Sequence, residues 1–413
     1  MKKTPVSMRP HIGIFGKRNV GKSSLINALT NQETAIVSNI AGTTTDPVGK
    51  AMEILPLGPV FIIDTAGLDD IGELGEKRVK KTIATLKRTD LVILVTTYSD
   101  FDEVEKEFLS YNKNAIVVLN KSDVDHSSEI ANNTEQFLSE SSIDFIRVSA
   151  KTGFNIPELR LMIAQKVPEV ISSDIILRDL IKPHDIVIHI IPIDSAAPKG
   201  RIILPQEQAL RETLDNHSLS ICIQPEELSL TLDLLKVKPK LIITDSQAIG
   251  LISKNTPEDT LLTTYSILFS RLKGELNPFI DGLTVLKELQ SGDKVLIAEA
   301  CTHHSQPDDI GRVKIPHWLD QYTGKKLQYI INAGKMIHQD LENIKLIIQC
   351  GGCMINRKEM LHRIKTASEN NIPITNYGIL ISHIHDSLSR TLKPFPDSYR
   401  KYVKLFSSFN TSD

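Results

Sequence analysis

The hydrophobic positions of the chain fall in short bursts rather than in an even alternation. Residues 11–15, 60–63, 91–95, 115–119 and 145–148 are rich in Val, Ile and Leu, and segments of helical length separate them. Short apolar runs of this kind predict strands covered on both faces. With helices between them they predict a parallel, doubly wound α/β sheet. The rhythm stops at Val167-Pro168-Glu169-Val170-Ile171-Ser172-Ser173, which reads as a linker. A shorter series follows, with apolar runs at 186–193, 220–223 and 240–244 and helices opening at Pro205 and at Pro225-Glu226-Glu227. Lys254-Asn255-Thr256-Pro257-Glu258-Asp259 marks a second break. Beyond it lie helical segments at 265–273 and 278–289 and strands at 294–298, 327–331, 344–348 and 373–375. The expected fold class is α/β, a doubly wound sheet followed by two smaller α/β domains, divided at 1–170, 175–255 and 260–413.

Length and charge narrow the function classes. A chain of 413 residues suggests two or three domains. Lys and Arg number 48 against 50 Asp and Glu, a net charge of -2, so no global excess draws nucleic acid or anionic lipid. No apolar run approaches the roughly 18 residues of a spanning helix. Pro5, Ser7, Arg9 and Pro10 stand where a signal peptide has its apolar region. A cytoplasmic protein with neither nucleic-acid nor membrane partner is expected. Four cysteines in so long a chain make no disulfide framework. Cys222, between Ile221 and Ile223, reads as an inert core residue. The other three fall late and invite metal chemistry.

Gly16-Lys17-Arg18-Asn19-Val20-Gly21-Lys22-Ser23 follows a predicted strand and opens a predicted helix, the context of a phosphate-binding loop. Its glycines allow backbone N–H groups to surround phosphates, Lys22 supplies a cation, and Ser23, followed by Ser24, offers a hydroxyl to Mg²⁺. Asp64-Thr65-Ala66-Gly67 leaves the second predicted strand: Asp64 can reach the metal through water and Gly67 can sense the γ-phosphate. Asn120-Lys121-Ser122-Asp123 leaves the strand at 115–119. The Asp123 carboxylate can accept from the guanine N1–H and exocyclic amine, a pair adenine does not present. Ser149-Ala150-Lys151 can close over the base. Each triplet alone reads as a solvated turn; four in order read as a GTP site.

The set resembles GTPases of the translation-factor-related class. Gly42-Thr43-Thr44-Thr45-Asp46 resembles the first switch of the subgroup that includes tRNA-modification and ribosome-assembly GTPases. By that resemblance Thr43 and Thr44 join the nucleotide site, Thr44 as a magnesium ligand, and Asn19 holds a potassium ion. Leu68 stands where a signalling GTPase carries its water-orienting glutamine. The resemblance therefore implies slow hydrolysis helped by K⁺ in place of an arginine finger.

Cys301-Thr302-His303-His304 and Cys350-Gly351-Gly352-Cys353 each follow a predicted strand. In a parallel sheet both lie beyond the carboxyl ends, where α/β ligands bind. Three thiolates and an imidazole suit a Cys₃His zinc site, and three thiolates with one open iron suit a [4Fe–4S] cluster. Spacing does not choose between them. Over essentially its whole length the chain resembles the [FeFe]-hydrogenase maturation GTPases. That resemblance implies a [4Fe–4S] cluster on Cys301, Cys350 and Cys353, and a dimerising middle domain. It also implies a two-iron subcluster as cargo, with radical-SAM maturases and the hydrogenase apoenzyme as partners. Many members carry a histidine where this chain has Gln349, a poor iron ligand. The fourth position then falls to His303, which keeps the family spacing, to His304, or to water or an incoming group. His383 and His385 lie on a predicted helix and read as polar-face residues. The rivals are a tRNA-modification or ribosome-assembly GTPase with a zinc module, and a nucleotide-gated interaction module with structural zinc.

Overall fold

A computed structural model describes residues 5–30, 49–64, 85–99, 101–110, 114–124, 128–170, 175–193, 200, 202–300, 309–334 and 341–406. The chain forms two compact units, Met1–Ser172 and Ser173–Asp413.

The first unit is built on six strands: β1 (His11–Phe15), β2 (Gly49–Ile54), β3 (Gly58–Asp64), β4 (Leu91–Thr96), β5 (Ala115–Leu119) and β6 (Asp144–Arg147). Their order is β2-β3-β1-β4-β5-β6, and every pairing but β2 with β3 is parallel. β4 shows why the run of apolar residues needed no alternation. Leu91, Ile93 and Val95 pack with Leu25, Leu29, Leu159 and Ile163 of the helices Lys22–Thr30 and Ile156–Val170. Val92 and Leu94 pack with Phe108, Leu109 and Leu138 of the helices Glu103–Ser110 and Ser128–Glu140. Each such fully buried side chain contributes about 1.5–3 kcal/mol, so the centre of the sheet anchors the unit. The parallel strands also bring the carboxyl ends of β1, β3 and β5 to one edge.

The second unit holds two four-stranded parallel sheets. One contains β7 (Ile186–Ile190), β8 (Leu219–Ile223), β9 (Leu241–Thr244) and β10 (Leu261–Thr264), ordered β10-β9-β7-β8. The other contains β11 (Lys294–Glu299), β12 (Gln328–Ala333), β13 (Ile344–Gln349) and β14 (Ile374–Asn376), ordered β12-β11-β13-β14. β10 lies beyond the expected boundary at 255. Two of its four residues, Thr263 and Thr264, are buried threonines, so no apolar run announced it.

Three expectations need correction. The segment 167–173 is not a linker throughout, since the helix Ile156–Val170 runs through its first four residues. Cys222 is exposed, not a core residue. β8 is an edge strand, and alternation turns Ile221 and Ile223 toward the core while Cys222 takes the opposite face. His383 is buried, not on a polar face: the helix Tyr377–Ile384 is buried from Gly378 through His383. Its two ring nitrogens meet the hydroxyls of Tyr402 and Tyr322, each at 3.0 Å. Burial lowers its pKa to about 4. His385, just past the helix, is exposed and meets Trp318 edge-on.

Candidate functional site

The loop after β1 has left-handed backbone at Gly16, Asn19 and Gly21, with φ of 144°, 61° and 95°. A Cβ on Gly16 would fall 2.1 Å from the Val95 carbonyl oxygen, and one on Gly21 would fall 2.3 Å from Asn120 Nδ2. Only glycine fits at either place. Such reversals form the concave run of amides that binds anions. Lys22 begins the helix and turns its ammonium back across the loop, donating to the carbonyls of Gly16 at 2.9 Å and Lys17 at 2.7 Å. Ser23 and Ser24 are exposed in the first helical turn, and Asn19 is exposed at the loop tip. The backbone of Asp64 ends β3 opposite Ile14 of β1, so its residue enters the same edge. Thr43, Thr44, Gly67 and Leu68 lie outside the described residues.

The residues expected to recognise the base lie together. Asn120 is buried: its Nδ2 donates to Val20 O at 2.8 Å and its Oδ1 accepts from Ala150 N at 3.0 Å. One side chain thus ties the phosphate loop to the loop after β6. Ser149 donates its hydroxyl to Asp123 Oδ1 at 2.7 Å, which holds the exposed carboxyl below the ordinary carboxylate range. Lys121 and Lys151 are exposed beside it.

One contact of the phosphate loop was not legible in the motif. Lys17 Nζ lies 2.7 Å from Asp102 and 3.8 Å from Glu105, both near the start of the helix after β4. Glu105 is fully buried, and that burial pushes its pKa up to about 7. Only the placement of an acid at a core position of an amphipathic helix hinted at this.

In the second unit, Cys350 and Cys353 follow β13 directly, beside the end of β11. Cys350 N donates to Ala298 O at 2.9 Å, continuing the ladder, and Ala300 N donates to Cys350 Sγ at 3.1 Å. Gly352 N adds a longer donor at 3.5 Å. Burial pushes the Cys350 thiol up, opposed by these N–H groups, and burial also raises Cys353. Gly352 has φ of 67°, and a Cβ there would press within 2.5 Å of the Met360 methyl. A Cβ on Gly351 would meet nothing within 4 Å. Cys301, His303 and His304 lie outside the described residues. Among the described residues no three metal-ligating side chains converge. Glu299, buried between residues 298 and 300, accepts from Arg312 Nη2 at 2.8 Å and Nε at 3.2 Å.

Three family models match the chain in sequence. The 50S ribosome-binding GTPase model covers residues 11–121, the hydrogen maturase F dimerization domain covers 176–274, and the hydrogen maturase F tetramerization domain covers 277–394. The chain belongs to the hydrogen maturase F family. Its architecture is a P-loop GTPase domain followed by further α/β domains, and the two maturase F modules make it an oligomer-forming protein. The GTPase domain implies binding of GTP and Mg²⁺ and hydrolysis of GTP. Curated relatives include the tRNA modification GTPase MnmE of Lactococcus lactis subsp. cremoris, 40% identical over 159 residues, covering 37% of this chain and 32% of that protein. MnmE of Aliarcobacter butzleri is 37% identical over 161 residues, covering 37% and 34%. The chain spans about a third of the length of these relatives. Similar solved structures include the G domain of the T. maritima iron transporter FeoB, at 24% identity and TM-score 0.29, covering 39% of this chain and 98% of that one. Aquifex aeolicus Era, bound to GDP and aluminium fluoride, matches at 20% and 0.32, covering 52% and 92%. No described helix is long and apolar enough to cross a membrane.

Proposed function

We propose that this maturase F chain is a GTP-hydrolysing scaffold and carrier. In this reading it holds a [4Fe–4S] cluster on Cys301, Cys350 and Cys353, and conveys a two-iron subcluster, its cargo, from radical-SAM maturases to the [FeFe]-hydrogenase apoenzyme. The observation that carries the reading is the contact between Ala300 N and Cys350 Sγ. It brings the residue next to Cys301 against the first thiol of the Cys-Gly-Gly-Cys turn, at the carboxyl ends of adjacent parallel strands. Backbone N–H donors and two intervening glycines suit thiolates that bind a compact group. When bound, the cluster supplies an iron with an exchangeable position, occupied by His303 or by an incoming group. Family membership favours iron over zinc.

At the nucleotide end, Lys22 and the amides of the loop bind the phosphates while Ser23 and Thr44 hold Mg²⁺. Asp64 supports the metal through water and Gly67 contacts the γ-phosphate. Asp123 reads guanine, and Ser149, Ala150 and Lys151 enclose it. Ser149 keeps the Asp123 carboxylate ionised and oriented. Asn19 holds K⁺, which assists a slow reaction in a site where Leu68 orients no water. The middle domain forms a homodimer.

A tRNA-modification type of GTPase with a zinc module is favoured by the MnmE identity alone, which is confined to the GTPase part of the chain. Anaerobic reconstitution followed by iron and sulfide analysis tests the proposal. Wild type should bind iron and sulfide, and alanine at Cys301, Cys350 or Cys353 should lose most of both. His303→Ala should retain them with an altered spectrum. Uptake of zinc and no iron would overturn the scaffold reading.

A further inference from the structure

Gln349 ends β13 with no solvent exposure, one residue before Cys350. The two ends of its amide have different partners. Oε1 accepts from Arg363 Nη1 at 2.8 Å. Nε2 lies 3.4 Å from Cys350 Sγ and 3.2 Å from the Cys350 carbonyl oxygen. The guanidinium fixes this orientation: it carries donors only, so the amide oxygen must face it and the amide N–H groups must face the sulfur. Arg363 is itself held in place. It is 2% exposed, donates from Nη2 to Gly334 O at 2.8 Å, and lies 3.6 Å from Glu359.

An amide binds a metal through its oxygen, and here that oxygen is engaged. The nitrogen lone pair is conjugated with the carbonyl and does not ligate. Resting on the reading of Cys350 as a cluster thiolate, we propose that Gln349 is a positioning residue and not a ligand. Arg363 aims its amide so that an N–H donates to the Cys350 sulfur, a third donor beside the backbone N–H groups of Ala300 and Gly352. The charge on Arg363 polarises the amide and strengthens that donor. Hydrogen bonds to a cluster sulfur withdraw electron density and ease reduction. The Gln349–Arg363 pair therefore sets the cluster at a higher potential than the two backbone donors would alone.

The test uses the full chain, reconstituted anaerobically with iron and sulfide, as wild type, Gln349→Met and Gln349→Glu. Methionine fills a similar volume without a donor; glutamate keeps the shape and the link to Arg363 but presents an anionic oxygen in place of the N–H. Iron per chain is measured first, then the reduction potential by a titration followed by electron paramagnetic resonance. Both variants should hold wild-type amounts of iron and be reduced at a more negative potential, glutamate further than methionine. Should methionine fail to fold, the glutamate shift decides alone. Wild-type potentials in every variant that folds would overturn the proposal. So would loss of the cluster in Gln349→Met together with its full retention at unshifted potential in Gln349→Glu, the pattern of an oxygen ligand. Failure of the underlying reading is distinguishable, because wild type itself would then take up no iron, and the inference would fall with it.

Discussion

Replacing Asn120 with alanine separates two loops that its side chain holds together. The truncation removes the bond to Val20 O at 2.8 Å and the bond from Ala150 N at 3.0 Å. Val20 is fully buried, so its carbonyl loses a partner where water is scarce, while Ala150 is half-buried and its N–H rehydrates more readily. A buried orphan costs about 1–3 kcal/mol and an exchangeable hydrogen bond about 0.5–1.5, so the pair is worth roughly 2–4 kcal/mol. That equals a factor of roughly 30 to 700 in an equilibrium constant. If the loops stay closed in the nucleotide-free variant, the loss appears as stability, a fall of about 4–16 °C in the unfolding temperature of a unit this size. If they part, it appears as weaker GDP binding. Calorimetric unfolding and titration with GDP measure the two shares, and their sum is the tested quantity. Asn120→Asp is the control, since it keeps the acceptor for Ala150 N but has no donor for Val20 O. A variant with wild-type unfolding temperature and GDP affinity within about threefold would refute the reasoning.

Asp123→Asn turns an acceptor into a donor opposite guanine and should move preference from GTP toward xanthosine triphosphate; competition binding reads this, and an unchanged preference for GTP removes the base assignment. GTP hydrolysis should run faster in K⁺ than in Na⁺, with Asn19→Ala abolishing the difference. Equal rates in the two salts would defeat the potassium site. Burial holds His383 and His189 near pKa 4, against about 6.5 in an unfolded chain. The unfolded state therefore binds more protons between these values, so the stabilisation is complete above about 6.5 and is lost as pH falls toward 4. Denaturant midpoints should drop over that window, and less so in His383→Asn; a profile that is flat from pH 7 to pH 5 would contradict it.

What the sequence revealed and what it hid differ in kind. β4 and β5 were visible because both faces are covered, which makes every position apolar. The phosphate loop was visible because Gly16 and Gly21 have no substitutes at their contacts with Val95 and Asn120. β2 was missed because it is an antiparallel edge strand of mixed polarity, Gly-Lys-Ala-Met-Glu-Ile, covered on one side. β10 was missed because buried threonines read as polar. His383 was misread in the same way, since a residue type says nothing of whether tyrosine hydroxyls will meet its nitrogens. Gln349 was noticed only for the iron ligand it fails to be. Its partner Arg363 lies 14 residues away on another element, a pairing that no local pattern encodes.

The span between Val20 and Ala150, bridged by the single side chain of Asn120, also sets a timetable for the newborn protein. The phosphate loop leaves the ribosome before its brace, Asn120, which lies 100 residues after Val20, and before Ala150, about 130 residues after Val20. At roughly 5–20 residues per second that interval lasts on the order of 6–26 s. Through it the nascent chain carries the phosphate-binding sequence without the partners that shape it, so guanine nucleotide reaches a finished site only after the whole first unit has emerged. The residues of the nucleotide site thus all precede, in order of synthesis, the segment that carries Cys301, Cys350 and Cys353.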